Sequence, residues 1–378
     1  MKRISQLDGV RGVAILLVLV YHYFTCQIVA EPGTFFSYLN RATSLTWSGV
    51  DLFFVLSGFL IAGILLDHRN TTNYFRVFYL RRACRILPLH FLVLGLFVCL
   101  LATPMGASPR FEWVFGQPFP LVSYATFTQN ILMGIRGDFG PHWLGVTWSL
   151  AVEEQFYLFV PLLIYLLPRR ALFCVLLAGV LTAPVLRYVS PGFHAYVNTP
   201  WHADTLLSGA CLAVLVRSHL FVTTVQRYKG ILLGLFLILL AVVGFRATRP
   251  AALGALEQCW LAGLYVSFIL IAFVDSQPLI GRVLRVPALV WFGQRSYAIY
   301  MFHEAISGLC HGWLRRAVPQ IQAPSDAAVT VLALFVTLAL AELSFRLFEN
   351  PILEFGHKFR YRPKREKESE LHPVAEGL

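Results

Sequence analysis

Gly9-Val-Arg11-Gly-Val-Ala-Ile-Leu-Leu-Val-Leu-Val-Tyr-His22-Tyr-Phe24 is built for lipid except that a histidine sits deep within it. An ionisable group at membrane depth is costly, so it tends to line a cavity, a pathway or a reaction centre. Two more charged clusters interrupt apolar sequence. One is Glu153-Glu154, inside Trp148-Ser-Leu-Ala-Val-Glu-Glu-Gln-Phe-Tyr157, and the other is Arg81-Arg82-Ala-Cys-Arg85. A proton acceptor, a carboxylate and an arginine cluster in one membrane chain point to chemistry on an anionic cofactor.

The chain around this run has 378 residues, 57% of them hydrophobic and 13% charged. A soluble domain carries roughly a quarter charged residues. Apolar runs at 10–29, 47–66, 86–103, 147–167, 171–188, 204–216, 230–246, 256–274, 296–313 and 327–347 predict an all-α, polytopic membrane bundle of about ten transmembrane helices. The net charge of +11 does not indicate nucleic-acid binding, because the basic residues lie between the runs. The first run lacks a small-residue cleavage site and is too long for a signal peptide, so it is read as retained. Seven cysteines are scattered without Cys-x-x-Cys spacing, which argues against a disulfide framework or a zinc site; no metal is expected.

Positive charge decides the topology. The run 119–135 is more polar than the others, with Ser123, Thr126, Thr128, Gln129 and Asn130. Left out of the count, it gives ten spans with both termini on one side. That side then holds 23 of the 31 Lys and Arg, including Lys2, Arg3, Arg11, the Arg69–Arg85 cluster and the basic tail. Residues 119–135 are therefore read as a re-entrant or interfacial helix on the outer face, and both termini as cytoplasmic. The domain reading is a membrane unit over 1–351 and a basic, disordered cytoplasmic tail over 352–378.

On the first helix, Asp8, Arg11, Ile15, Val18 and His22 share a face, with His22 roughly 20 Å beyond Asp8. Asp8 and Arg11 are expected to pair at the inner surface. Ser149, Glu153 and Tyr157 share a face at spacings of four, and Glu153 lies about 8–9 Å below the outer end of its helix, a depth similar to that of His22. Glu154 points about 100° away, which makes Glu153 the candidate partner of His22. Arg82 and Arg85, three apart at the cytoplasmic start of a helix, suit bidentate phosphate binding, with ordinary positive-inside charge the competing reading. Ser296, Tyr300, His303 and Ser307 form a further polar stripe. Its simplest reading is a hydrogen-bonded helix seam, with His303 able to line a channel between the arginines and His22.

These pieces resemble the acyltransferase 3 family of integral-membrane O-acyltransferases. The matching stretches run in order from Leu7-Asp8-Gly-Val-Arg11-Gly with His22, through Gly49-Val-Asp51-Leu-Phe-Phe-Val-Leu-Ser57-Gly58 and Arg82-x-x-Arg85-Ile-Leu-Pro88, to Trp148–Tyr157. They continue with Phe292-Gly-Gln-Arg-Ser296-Tyr-Ala-Ile-Tyr300-Met-Phe-His303 and close on Phe348-Glu349-Asn-Pro351. The resemblance implies transfer of an acetyl or other short acyl group from cytoplasmic acyl-coenzyme A to a hydroxyl of a cell-surface carbohydrate or secondary metabolite, in a bacterial inner membrane. It also implies that His22 is the base and that Arg82 and Arg85 handle the donor. Asp8, Arg11, Asp51, Tyr157, Ser296, Tyr300 and His303 are expected as support. Many relatives carry an appended hydrolase-like domain, and this chain is read as the stand-alone form.

In that scheme the donor phosphates sit at Arg82 and Arg85, and the pantetheine arm reaches His22 over roughly 15–20 Å of helix rise. His22 takes the acceptor's proton, and Glu153 orients the imidazole; a covalent acyl-histidine is the other route. The competing function is a proton-coupled transporter using His22 and Glu153 as a relay. The absence of an internal repeat weighs against it.

Overall fold

Each of the ten apolar runs falls on a long helix. The computed structural model describes residues 5–31, 33–249, 252–274 and 278–363. In chain order the long helices are α1 (Ser5–Val20), α2 (Gly49–Asp67), α3 (Tyr74–Leu101), α4 (Trp148–Leu166) and α5 (Arg169–Val189). They continue with α6 (Ala203–Leu215), α7 (Lys229–Thr248), α8 (Glu257–Val274), α9 (Pro287–Leu314) and α10 (Pro324–Ser344). A shorter α11 (Asn350–His357) follows. Among the described residues there is no β-strand, only the isolated bridges Ile28–Ile321 and Thr71–Pro363.

Among the described residues, eight helical stretches are long and apolar enough to cross a membrane. The count is nine with Thr199–Leu215, which bends by 98° into His219–Arg227. Helix α9 is not among them, because Arg295, His303, Glu304 and His311 lie along it. Leu158, Phe159, Leu162 and Leu166 on α4, Val185 and Tyr188 on α5, and Ile231 and Ile238 on α7 are exposed. Apolar side chains turned outward along whole helices are what a bilayer solvates.

Two close crossings organise the bundle, α1 on α9 and α2 on α6. Both are made by glycines that let backbones touch. A Cβ on Gly12 would stand 2.1 Å from Leu289 O, and one on Gly293 only 1.8 Å from Asp8 O. At the other crossing, a Cβ on Gly58 would meet Leu206 O at 1.9 Å, and one on Gly209 would meet Val55 O at 2.0 Å. The first crossing brings the histidine-bearing helix against the Ser296–Ser307 stripe.

Two expectations need correction. Residues 119–135 form two short helices, Leu121–Ala125 and Gln129–Arg136, rather than one, because Phe127 takes a positive φ of 55° between them. The polar residues of the second are buried in protein. Gln129 Nε2 donates to Thr147 O (2.9 Å), and Asn130 Oδ1 accepts from Gln155 Nε2 (2.9 Å) on α4. The tail read as disordered from residue 352 stays helical to His357 and is then held as far as Pro363 by Thr71, Thr72 and Asn73 just before α3 and by Arg81 on it. The rest of it, 364–378, lies outside the described residues.

Candidate active site

A cavity of about 370 Å³ runs between α1, α2, α3, α4 and α9. At one end stand Asp8, Arg11, Arg81, Arg82 and Arg85, and along its walls and far end Ser57, Ser149, Glu153, Tyr157, Ser296 and Tyr300. Most of the residues expected from the sequence therefore share one space. Asp8 and Arg11 pair at 3.2 Å, as their spacing predicts. Tyr157 Oη donates to Glu153 Oε2 (3.1 Å) and lies 2.5 Å from Ser57 Oγ. The Arg82 guanidinium sits over the Tyr157 ring at 5.7 Å. Neither Arg82 nor Arg85 makes an ion pair or a side-chain hydrogen bond among the described residues, so both forks remain available to an anion.

At the opposite end Tyr300 is fixed by donating to Val146 O (2.8 Å), with Ser149 Oγ at 2.7 Å. Behind it, a chain of rings leads out of the cavity wall. The Tyr300 and His303 centroids are 5.5 Å apart, and those of His303 and His22 are 4.8 Å apart.

His22 itself lies in a π-helical turn, Tyr21–Thr25, that continues α1. Such turns shift the register of the side chains that follow and recur at functional sites. Gln27 Nε2 donates to the freed His22 O (2.7 Å) and to Ser307 Oγ (3.0 Å), tying the turn to α9. His22 Nδ1 lies 3.0 Å from Val18 O. A carbonyl only accepts, so Nδ1 carries the hydrogen and the neutral ring presents a lone pair at Nε2. That atom faces Glu304 Oε1 at 3.4 Å.

The carboxylate beside His22 is thus Glu304, not Glu153. Glu153 has the expected depth, but its oxygens are turned to Tyr157 on the cavity wall. Glu304 escaped the sequence reading because His303, its neighbour, was assigned to the stripe. On a helix that crosses α1 on bare glycine, both residues reach the same histidine. Asp51 does not reach the cavity either. It is buried with Oδ1 3.9 Å from His202 Nδ1, near the ion pair of Arg187 and Asp204 (2.5 Å). Seventeen residues separate that pair, and no helix-face spacing along one run predicts it.

His303 repeats the pattern of His22. Its Nδ1 donates to Tyr300 O (2.7 Å), and its buried Nε2 has no hydrogen-bond partner. His22, His303 and Glu304 each offer a ligand atom within 4.8 Å of the others, so a metal ion bound at this site would be held there. Two imidazoles and a carboxyl group thus lie together behind the Tyr300 wall of the cavity.

A family model described as an acyltransferase domain matches residues 4–343. The chain belongs to the acyltransferase 3 family. Among its relatives, a Staphylococcus aureus (strain COL) protein is 28% identical over 388 residues, covering 96% of this chain. O-acetyltransferase OatA of S. aureus strain MRSA252 is 27% identical over 384 residues and also covers 96% of the chain. OatA of strain NCTC 8325 is 27% identical over 381 residues, covering 95%. The chain spans about 59% of the length of each of these relatives. No solved structure matches it. Gly12, Gly58 and Gly293, which stand in the stretches quoted above, are among the glycines that make the two helix crossings.

Proposed function

We propose that this acyltransferase moves an acetyl or other short acyl group from acyl-coenzyme A to a hydroxyl of a carbohydrate or small-molecule acceptor. One observation carries the reading. A single cavity joins two uncommitted arginines, Arg82 and Arg85, to a wall behind which His22 holds a lone pair on Nε2. The arginines suit the phosphates of the donor, and the cavity suits its arm. His22 Nε2 takes the proton of the acceptor hydroxyl as that oxygen attacks the thioester carbonyl. The carbon–sulfur bond breaks, and the proton returns to the departing thiolate. Glu304 stabilises the imidazolium while it lasts. Glu153 keeps Tyr157 in place beside Arg82 on the donor wall.

The test is release of free thiol from acetyl-coenzyme A by purified, reconstituted protein offered a panel of carbohydrate acceptors. Wild type is expected to release thiol with at least one acceptor. His22→Ala is expected to release none above background while inserting and eluting normally. Near-normal release by His22→Ala removes this histidine from the chemistry. No release by wild type across the panel, with no coenzyme A binding, overturns the donor assignment.

A further inference from the structure

The chain beyond α10 returns across the arginine end of the cavity. After α11, residues 358–363 run as a strap whose backbone, rather than its charged side chains, is held. Arg81 Nε donates to Phe359 O (2.9 Å) and Asn73 Nδ2 to Arg360 O (2.9 Å). The Arg362 amide donates to Asn73 Oδ1 (2.9 Å), and the Thr72 amide to Arg362 O (2.9 Å). Between these anchors Tyr361 stacks on His68, with ring centroids 3.8 Å apart, and the Arg81 guanidinium stands 5.3 Å from its ring centre. The Tyr361 hydroxyl is buried and has no hydrogen-bond partner.

Strap and arginines enclose a second cavity of about 180 Å³. Gly356, His357 and Tyr361 form one side, and Arg11, Arg81, Arg82 and Arg85 the other. The same four arginines line the first cavity, so the two spaces meet at the guanidiniums. A half-enclosed space with this much positive charge, two unpaired forks and a buried hydroxyl donor is chemically matched to a polyanion. A buried hydroxyl is normally satisfied, and Tyr361, which lines this cavity, has a hydroxyl without a partner among the described residues.

We propose that the strap is the second wall of the donor site, and that the Tyr361 hydroxyl donates to a phosphate oxygen of the acyl-coenzyme A held by Arg82 and Arg85. This rests on the reading of the donor as acyl-coenzyme A. In this arrangement the phosphates occupy the smaller cavity and the phosphate-free pantetheine arm the larger one. Asn73 is a positioning residue, holding the strap from both sides of Tyr361.

Two probes separate the halves of the donor: coenzyme A and pantetheine, titrated calorimetrically into the purified full-length protein. Wild type is expected to bind coenzyme A well and pantetheine weakly. Tyr361→Phe keeps the ring stack and removes only the hydroxyl. It is expected to weaken coenzyme A binding about tenfold or more, the range for a hydrogen bond to a charged group, and to leave pantetheine binding unchanged. Asn73→Ala is expected to act in the same direction. If wild type binds coenzyme A and loses it in Arg85→Ala, but Tyr361→Phe binds as wild type does, the strap assignment fails and the donor reading stands. If Tyr361→Phe weakens both probes equally, the hydroxyl does not meet a phosphate. If wild type does not bind coenzyme A, the donor reading fails and takes the strap assignment with it.

Discussion

With Nδ1 committed to Val18 O, the neutral imidazole of His22 has only Nε2 to offer, and that atom faces Glu304. At 3.4 Å the Glu304 carboxyl group is close enough to stabilise the charge that develops on the ring as Nε2 takes a proton. Removing the ionisable group at 304 should therefore strike turnover rather than donor binding. Glu304→Gln is expected to lower the rate of thiol release about 10²-fold or more, the scale of a lost acid–base contribution, with coenzyme A affinity unchanged. Glu153→Gln is expected to do the reverse, shifting the donor KM through Tyr157 and Arg82 while largely sparing kcat. Steady-state kinetics on the two variants check this, and equal losses of kcat in both would return Glu153 to the chemistry. That His22 stands deep in the bundle and that Arg82 and Arg85 line one cavity together was legible in the sequence, because each is an ionisable residue where lipid allows few. The identity of the partner was not legible, because pairing between α1 and α9 depends on a crossing and a π-turn that periodicity along one helix does not encode.

At the scale of elements, the crossings rest on glycines whose missing side chains are space another backbone occupies. Gly209→Ala would bring a methyl to about the position now 2.0 Å from Val55 O, and α2 and α6 would have to separate. Overpacking of this kind typically costs about 1–3 kcal/mol, and more where only backbone can move. Gly95 on α3 is the control, since nothing lies within 4 Å of its Cβ position. There alanine should be neutral or slightly stabilising, because it favours the helix over glycine. Thermal unfolding in detergent is expected to show a lowered midpoint for Gly209→Ala and none for Gly95→Ala; equal midpoints would mean that the crossing adapts. The ten helices themselves were readable from apolar run length. The strap was not, because Asn73 and Arg81 grip its carbonyls and an amide, groups that every residue has and that a charge run conceals.

At the scale of the whole molecule, the described termini and the arginines gather at one end of the bundle. Leu7 and Asp8 line the first cavity beside Arg11, and Tyr361 lines the second beside Arg81. Counting charges between the ten apolar runs likewise expects both termini on one side, with 23 of the 31 Lys and Arg beside them. Because Lys and Arg tend to remain on the cytoplasmic side, we propose that this end faces the cytoplasm. Acyl-coenzyme A is made there and is too highly charged to cross a bilayer. Sidedness of donor use therefore tests the orientation of the bundle directly. In sealed vesicles supplied with acceptor on both sides, external acetyl-coenzyme A should be consumed by inverted vesicles. Right-side-out vesicles should consume it only after permeabilisation, and both preparations should then reach the same rate. Arg85→Lys keeps the charge that sets topology but loses the fork, so it should retain this sidedness while binding donor more weakly. Consumption by intact right-side-out vesicles would place the arginine end outside. Loss of sidedness in Arg85→Lys would mean that the cluster acts as a topological anchor more than as a phosphate clamp.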